Sequence, residues 1–173
     1  MRRWPLLLLV ALLVSCGDDT PVAMTPPTTQ PPPPPPPRVV IEGSGSLEVD
    51  FVGRLPFISP LPGRLDVTVD WTFATNDVDV YLARGVCSFD QFFDDMCDVI
   101  ATAESFTAKP ERLSVASAGM GSYTLFVGNF GPEDESLSWQ VVLTPSGAAL
   151  GGDVRALTRS QQFESARRPR RVK

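Results

Sequence analysis

Carboxylates on two successive strand-like segments are the first residues in this sequence that could do chemistry. Residues 65–73 alternate apolar and polar side chains with strict period two, and residues 78–82 repeat that pattern. If the two segments pair as a hairpin with matched apolar faces, Asp70 lies opposite Asp79 and Thr72 lies opposite Asp77. Like charges directly opposite each other destabilise a strand ladder, so this arrangement requires compensation.

Three kinds of compensation fit such an acidic face. Ca²⁺ takes about six to eight oxygen ligands, which makes Asp70, Asp77 and Asp79 candidate metal ligands. Arg64 or Arg84 could neutralise the carboxylates instead, and solvent screening alone would leave a hydrated acidic face. The remaining alternative is that the two segments are not neighbours. No cofactor other than this calcium ion is expected.

A second candidate site lies in the eleven-residue segment between Cys87 and Cys97, which mixes aromatic and acidic residues. In one interpretation, Phe92 or Phe93 caps the protein core while the aspartates face water. In the other, the segment is a binding loop that presents aromatic anchors in an acidic surround, suited to carbohydrate stacking or to a basic partner. The candidate binding residues are Phe89, Phe92, Phe93, Asp94 and Asp95.

Several catalytic chemistries are excluded by composition. The chain contains no histidine, so it has no Ser-His-Asp or Cys-His nucleophile system and no imidazole ligand for zinc. No P-loop or GxGxxG pattern precedes a helix-like segment. Paired carboxylates occur, but a domain of this size offers little room for a glycosidase cleft. We therefore expect a protein that is not an enzyme.

The N-terminus has the three parts of an export signal: a basic start, an apolar run and a small residue before a cleavage point. Leu13-Val14-Ser15-Cys16 resembles the lipobox of bacterial lipoproteins. The resemblance implies that residues 1–15 are a signal peptide and that Cys16 is acylated, which would anchor the chain on a membrane. Gly17 follows the cysteine, and in that family this favours the outer membrane where the host has two membranes.

Export also bears on the other two cysteines. Once Cys16 is lipidated, Cys87 and Cys97 remain as an even number in a compartment where disulfides persist, so we expect them to be bonded. Residues 16–37 are predicted to be a linker that ends in seven consecutive prolines. A polyproline helix of that length spans about 22 Å and acts as a semi-rigid stalk, although a proline-rich ligand for another domain is an alternative.

From residue 38 to residue 147 the pattern is that of short strands separated by Gly, Pro and Asn, with no convincing helical stripe. About eight antiparallel strands of this kind predict an all-β fold, a single jelly-roll-like β-sandwich. The predicted strands cover residues 39–42, 47–52, 65–73, 78–82, 99–103, 113–116, 123–127 and 137–143.

Three segments of this domain together resemble bacterial pre-peptidase C-terminal domains. They are the strand that follows Asn76 and Asp77, the segment from Gly121 to Asn129, and the closing segment 137–143. The resemblance spans roughly residues 46–144 and implies a β-sandwich that accompanies a secreted protease or other exported enzyme. The chain departs from that pattern because it carries no enzyme domain and inserts the acidic loop between its cysteines.

Charge is divided unevenly along the chain. Residues 38–147 hold 6 basic and 16 acidic residues, whereas the last 20 residues hold 7 basic residues and 1 acidic residue. Residues 148–173 are predicted to be a flexible basic tail, and residues 153–168 could form one helix on contact with a partner. For an exported chain, we expect the tail to meet anionic envelope polymers, lipid head groups or the acidic face of another copy rather than nucleic acid.

Three functional hypotheses follow from these features. The first is a non-catalytic binding or scaffolding lipoprotein displayed on the cell envelope, with an envelope polysaccharide or a protein as its partner. The second is a structural envelope protein that assembles through its acidic domain and basic tail. The third is a calcium-stabilised accessory module that binds carbohydrate or protein in a secreted hydrolase system.

Overall fold

A computed structural model describes residue 33, residues 35–106, residues 108–147 and residues 163–167, and the predicted signal peptide and Cys16 lie outside them. Two antiparallel sheets and one short helix make up the domain, which confirms the predicted single β-sandwich. The elements in chain order are β1 (Arg38–Leu47), β2 (Phe51–Ser59), β3 (Gly63–Trp71), β4 (Val78–Arg84), α1 (Phe89–Phe93), β5 (Asp98–Ala103), β6 (Glu111–Ala118), β7 (Gly121–Asn129), β8 (Glu135–Pro145) and β9 (Glu164–Arg167).

The first sheet has the strand order β1-β8-β3-β6, and the second has the order β5-β4-β7-β2-β9. Period-two alternation places most of the apolar residues of both sheets in one layer between them, as the sequence predicts. In the first sheet Leu65 pairs with Leu143 and Val67 with Val141, and all four are buried. In the second sheet Leu82 and Leu55 flank the buried Leu125 of β7.

The segments 65–73 and 78–82 do not form a hairpin, and the alternative that they are not neighbours is confirmed. Strand β3 pairs with β6 and β8 in the first sheet, whereas β4 pairs with β5 and β7 in the second. The chain crosses from one sheet to the other after Trp71. The apolar faces of β3 and β4 therefore face each other across the core, and the two strands are not hydrogen-bonded neighbours in one sheet.

The predicted strand at residues 47–52 is also wrong, because it spans the turn between β1 and β2. Asp50 has φ 66°, a left-handed conformation that interrupts an extended strand. The true second strand, Phe51–Ser59, contains Pro56, which argues against a strand when only the sequence is read. On one side of β2, Pro56 lies opposite Thr124 of β7. On the other side, β9 pairs only with Phe51–Arg54, so no neighbouring strand is paired with Pro56 along that edge. A proline, which has no backbone N–H to donate, is tolerated at such an edge.

Two further elements differ from expectation. Residues 163–167, predicted to be part of a flexible tail, contain β9, which extends the second sheet beside β2. Helix α1 is only five residues long and shows no helical stripe in the sequence. No helix in the described part of the chain is long and apolar enough to cross a membrane.

Candidate functional site

The loop between β4 and β5 is closed by a disulfide between Cys87 and Cys97, which confirms the predicted bond. Ser88 caps helix α1: its hydroxyl accepts from the backbone N–H of Gln91, whose side-chain oxygen accepts from the backbone N–H of Ser88. This reciprocal cap explains why a helix forms here despite its short length. After the helix, Asp95 takes a left-handed conformation with φ 57°, and the chain turns back toward Cys97.

Hydrogen bonds to the second sheet hold this loop in place. The backbone N–H of Cys87 donates to Oγ1 of Thr124 at 3.0 Å, and Thr124 Oγ1 donates to the carbonyl of Gly85 at 2.8 Å. Arg54 Nε donates to the carbonyl of Cys87 at 2.7 Å. The loop is thus attached to both β7 and β2, which makes it a rigid support for the side chains it carries.

The phenylalanines of the loop pack on the outer face of the second sheet, away from the main core. Phe92 stacks on Phe126 with ring centroids 4.2 Å apart, and Tyr81 meets the edge of Phe92 at 5.3 Å. The ring centroid of Phe89 lies 6.3 Å from that of Phe126 and 6.2 Å from that of Phe93. These rings bury the outward-facing Phe126 completely. Phe92 and Phe93 therefore do not cap the core between the sheets, as one interpretation expected, but belong to a second, smaller cluster. The aspartates of the loop, Asp90, Asp94 and Asp95, are exposed, as that same interpretation expected.

A pocket of about 760 Å³ lies between this loop and the outer face of the second sheet. Four aromatic rings and three carboxylates contribute to its lining, together with Val52 of β2 and Val99 and Thr102 of β5. Among the described residues, no basic side chain lines the pocket. The aromatic and acidic residues are Tyr81, Phe92, Phe93, Phe130, Asp94, Asp95 and Glu104.

The sequence prediction included four of these seven residues: Phe92, Phe93, Asp94 and Asp95. Phe89 belongs to the supporting aromatic cluster rather than to the pocket lining. Tyr81, Glu104 and Phe130 come from three other parts of the chain and were not predicted. The alternation along β4 could have indicated Tyr81, because Asp77, Asp79 and Tyr81 point to the same side of the chain, away from the buried valines.

Carboxylates surround the hydroxyl of Tyr81 at one end of the pocket. Tyr81 Oη donates to Asp79 Oδ2 at 3.0 Å. Burial raises the pKa of Asp79 to about 6; the hydrogen bond from Tyr81 opposes this rise, and the negative charges of Asp77, Glu104 and Glu111 add to it. The pKa of Tyr81 is also raised, chiefly by burial. This end of the pocket therefore carries negative charge that favours a cationic group or a hydroxyl donor.

The three predicted calcium ligands do not form a site. Asp70 lies opposite Ser138 in the first sheet, whereas Asp79 lies opposite Gly128 in the second, so the Asp70–Asp79 pair that a hairpin would create does not form. Lys109 Nζ lies 3.2 Å from Asp70 Oδ1 and neutralises it. No group of three or more acidic or cysteine side chains in the described part of the chain is arranged to hold a metal ion.

The arginines proposed as alternative counterions have other partners. Arg64 pairs with Asp66 at 2.8 Å, and Arg84 pairs with Asp98 at 3.3 Å. Both pairs are exposed, and neither arginine is paired with Asp70 or Asp79. The acidic end of the pocket thus receives no compensation from these two residues.

Two asparagines of the motif segments hold together the loops at one end of the sandwich. Asn76 Nδ2 donates to the carbonyl of Glu133 at 2.7 Å, and Asn129 Nδ2 donates to the same carbonyl at 2.9 Å. Asn76 Nδ2 also donates to the buried carboxylate of Glu135 at 2.7 Å. The role of these asparagines in this chain is structural, and it fixes the start of β4 beneath the pocket.

Comparisons with known proteins give a remote structural likeness. No protein-family model matches the chain, and no curated protein matches it. Among solved structures, the chain is similar to the Yersinia pseudotuberculosis-derived mitogen, with 16% sequence identity and a TM-score of 0.42. That likeness covers 65% of this chain and 99% of the mitogen chain.

Proposed function

We propose that this chain is a membrane-anchored, non-catalytic binding module of the cell envelope, and that it binds its ligand in the pocket beside α1. The observation that carries the proposal is the lining of that pocket: aromatic rings and carboxylates together, with no basic side chain among the described residues. The disulfide and the hydrogen bonds from Arg54 and Cys87 support a site that is formed before the ligand arrives.

The lining favours two classes of ligand. Aromatic faces stack on the apolar faces of sugars, while carboxylates accept hydrogen bonds from sugar hydroxyls. The same groups attract a cationic side chain, because a cation is stabilised both by the ring faces and by the carboxylates. An envelope polysaccharide or a basic protein segment fits this chemistry, whereas a strongly anionic polymer does not.

The proposed anchor comes from the sequence. Lipid on Cys16 would hold the chain on a membrane, with outer-membrane sorting favoured by Gly17, and the seven prolines that end at Pro37 would separate the domain from the surface. A domain fixed at one end and carrying a rigid pocket is suited to scaffolding or capture at the envelope.

Calorimetric titration of solubilised envelope polysaccharide into the full chain tests the proposed site. Phe93→Ala removes a ring from the lining and leaves the closer Phe92–Phe126 stack in place. We expect affinity to fall at least tenfold in this variant. Phe106→Ala is the matched control, because Phe106 is 82% exposed and does not line the pocket. Equal affinity of the two variants would refute the proposed site.

Charge division favours a second candidate function, assembly of copies through the acidic domain and the basic tail. Association of this kind depends on exposed charges and should vanish at about 0.5 M NaCl, where the Debye length is about 4 Å. Sedimentation velocity at low and high salt distinguishes this candidate, since a binding module without such assembly remains monomeric in both.

A further inference from the structure

The aromatic rings of the pocket stand at steep angles to one another, so they form walls rather than one flat platform. The ring planes of Tyr81 and Phe92 make an angle of 66°, with centroids 5.3 Å apart. Phe93 is tilted by 58° relative to Phe92, with centroids 5.9 Å apart. Rings arranged in this way offer apolar surface from more than one direction, which suits a ligand that has apolar ring faces of its own.

The pocket is elongated across the second sheet. Its lining reaches from Val52 on β2 to Val99 on β5, which are three strand spacings apart across the sheet, or about 14 Å. Its volume of about 760 Å³ lies within the range of about 300–1,000 Å³ that is usual for small-molecule sites. A short stretch of a polymer therefore suits the pocket better than a single small ion does.

Negative charge collects around the hydroxyl of Tyr81 at one end of the pocket. The hydroxyl donates to Asp79 Oδ2 at 3.0 Å, and it also interacts with the side chain of Glu104. Because a hydroxyl carries one hydrogen, it can satisfy only one of these two carboxylates at a time. The other carboxylate is left to accept a hydrogen bond from a ligand.

Repulsion among the carboxylates near this hydroxyl has no counterion in the described part of the chain. No ion pair between described residues involves Asp77, Asp79 or Glu104. Burial and then the negative charge of Glu104 raise the pKa of Asp77. The Oδ1 atom of Asp77 is buried and has no hydrogen-bond partner among the described residues. A positively charged group bound at this end of the pocket would relieve the repulsion.

A sugar with a free amino group combines the two properties that this lining favours. Its ring has apolar faces that pack on aromatic rings, and its protonated amine is a cation whose N–H groups donate to carboxylate oxygens. A neutral or N-acetylated sugar has the ring faces but leaves the carboxylates without a counterion. A lysine side chain brings the charge but no ring faces.

We propose that the pocket beside α1 binds amino sugars whose amino groups are free and protonated, as parts of an envelope polysaccharide. The sugar rings pack against the walls formed by Tyr81, Phe92 and Phe93. The ammonium group lies at the end of the pocket where Asp79 and Glu104 meet the hydroxyl of Tyr81. This inference rests on the binding function proposed above and names the class of sugar that the site selects.

Two oligosaccharides that differ only in N-acetylation test this preference. The probes are the tetramer of β-1,4-linked glucosamine and its fully N-acetylated counterpart. Each is titrated calorimetrically into the full chain at low salt, at a pH where the free amines are protonated. We expect the free-amine tetramer to bind at least tenfold more tightly. Equal affinity, tighter binding of the acetylated tetramer, or no binding of either would overturn the inference.

Matched substitutions locate the charge that carries the preference. Glu104→Gln removes one carboxylate from the lining, so the affinity for the free-amine tetramer should fall several-fold. Glu42→Gln on β1 is the control and should leave that affinity unchanged. Equal effects of the two substitutions would contradict an ammonium group at this end of the pocket.

Tetralysine is the third probe, because it carries the same kind of charge without sugar rings. We expect it to bind more weakly than the free-amine tetramer, since it cannot pack ring faces against the aromatic walls. Tighter binding of tetralysine would overturn the inference in favour of a basic protein segment.

Failure of this inference can be told apart from failure of the proposed function. If the two tetramers bind equally well and Phe93→Ala weakens both, the binding function stands without the preference for free amines. If neither tetramer binds but solubilised envelope polysaccharide does, and Phe93→Ala weakens that binding, the function stands with another class of sugar. If none of these ligands binds, both proposals fail.

Discussion

The hydroxyl of Tyr81 donates to the carboxylate of Asp79 at 3.0 Å on the outer face of β4, at the acidic end of the pocket. This contact joins a ring that packs on the disulfide loop to a carboxylate that the fold partly buries. Burial raises the pKa of Asp79 to about 6 in spite of this hydrogen bond, so the charge beside Tyr81 changes with pH just below neutrality.

The contribution of Asp79 to the free energy of unfolding should increase as pH falls from 7 to 4. Folding raises the pKa of Asp79 from 3.8 to about 6, so the folded state binds more protons in this interval. The stabilisation is therefore fully present below pH of about 4 and lost as pH rises through about 6. The pKa of Asp77 is also raised, mainly by burial and to a smaller extent by the negative charge of Glu104, so Asp77 contributes with the same sign.

Asp79→Asn tests this dependence. Urea denaturation at several pH values should show a flatter profile for the variant and greater stability than the parent at pH 7.5. Glu42→Gln, an exposed substitution on β1, serves as the control and should leave the profile unchanged. A parallel profile in Asp79→Asn would mean that Asp79 does not carry the effect.

Glu135→Gln should destabilise the fold by about 2–3 kcal/mol, because it breaks charge-assisted hydrogen bonds in a buried place. Glu135 is 2% exposed and accepts from the backbone N–H groups of Thr72 and Phe73 and from Asn76. The exposed Glu133→Gln should change the free energy of unfolding by no more than about 0.5 kcal/mol. Chemical denaturation of both variants provides the measurement, and equal effects would contradict the assigned role.

Reduction of the Cys87–Cys97 bond should lower the free energy of unfolding by about 2.5–3 kcal/mol on the loop-entropy account. Ligand affinity should fall as well, because the pocket depends on the order of α1. Denaturation and titration with and without dithiothreitol measure the two effects. Unchanged affinity after complete reduction would show that the rest of the loop, held by Arg54 and Thr124, positions the pocket without the bond.

Phe163→Ala should cost about 1–2 kcal/mol, since the ring is half-buried and stacks on Trp139. Gly53→Ala should cost a similar amount, because its new Cβ would occupy the place of the ring. The two substitutions act on one contact, so the double variant should be clearly less destabilised than the sum of the single variants. If urea denaturation shows that the double variant is destabilised by the full sum of the two single variants, the contact between Phe163 and Gly53 is contradicted.

Much of the fold follows from the sequence because burial alternates with residue parity. Strand β3 is the clearest case: its apolar residues from Leu65 to Trp71 all face the core. The alternation of apolar and polar residues does not say which strands are neighbours. Two strands with matching apolar faces can lie side by side in one sheet or can pack against each other from opposite sheets. For this reason the sequence left open whether β3 and β4 are neighbours, and the candidate calcium ligands depended on a pairing that does not form.

Part of the candidate site was predictable for a different reason. Residues within the disulfide loop are close in sequence, so Phe92, Phe93 and the two aspartates after them could be recognised together. Tyr81, Glu104 and Phe130 join them only through the order of strands in the second sheet, which local patterns do not encode. The same holds for β9, whose docking depends on a slot between Gly45 and Gly53.

The most direct test of the proposed binding site is a map of the ligand contacts. Solubilised envelope polysaccharide is added to the isotope-labelled full chain, and chemical-shift changes are followed by NMR. Our account predicts saturable changes centred on the pocket, at Tyr81, Phe92, Phe93, Glu104 and Phe130. Changes centred instead on the outer face of the first sheet, around Thr68, Ser138 and Gln140, or no saturable changes at all, would contradict it.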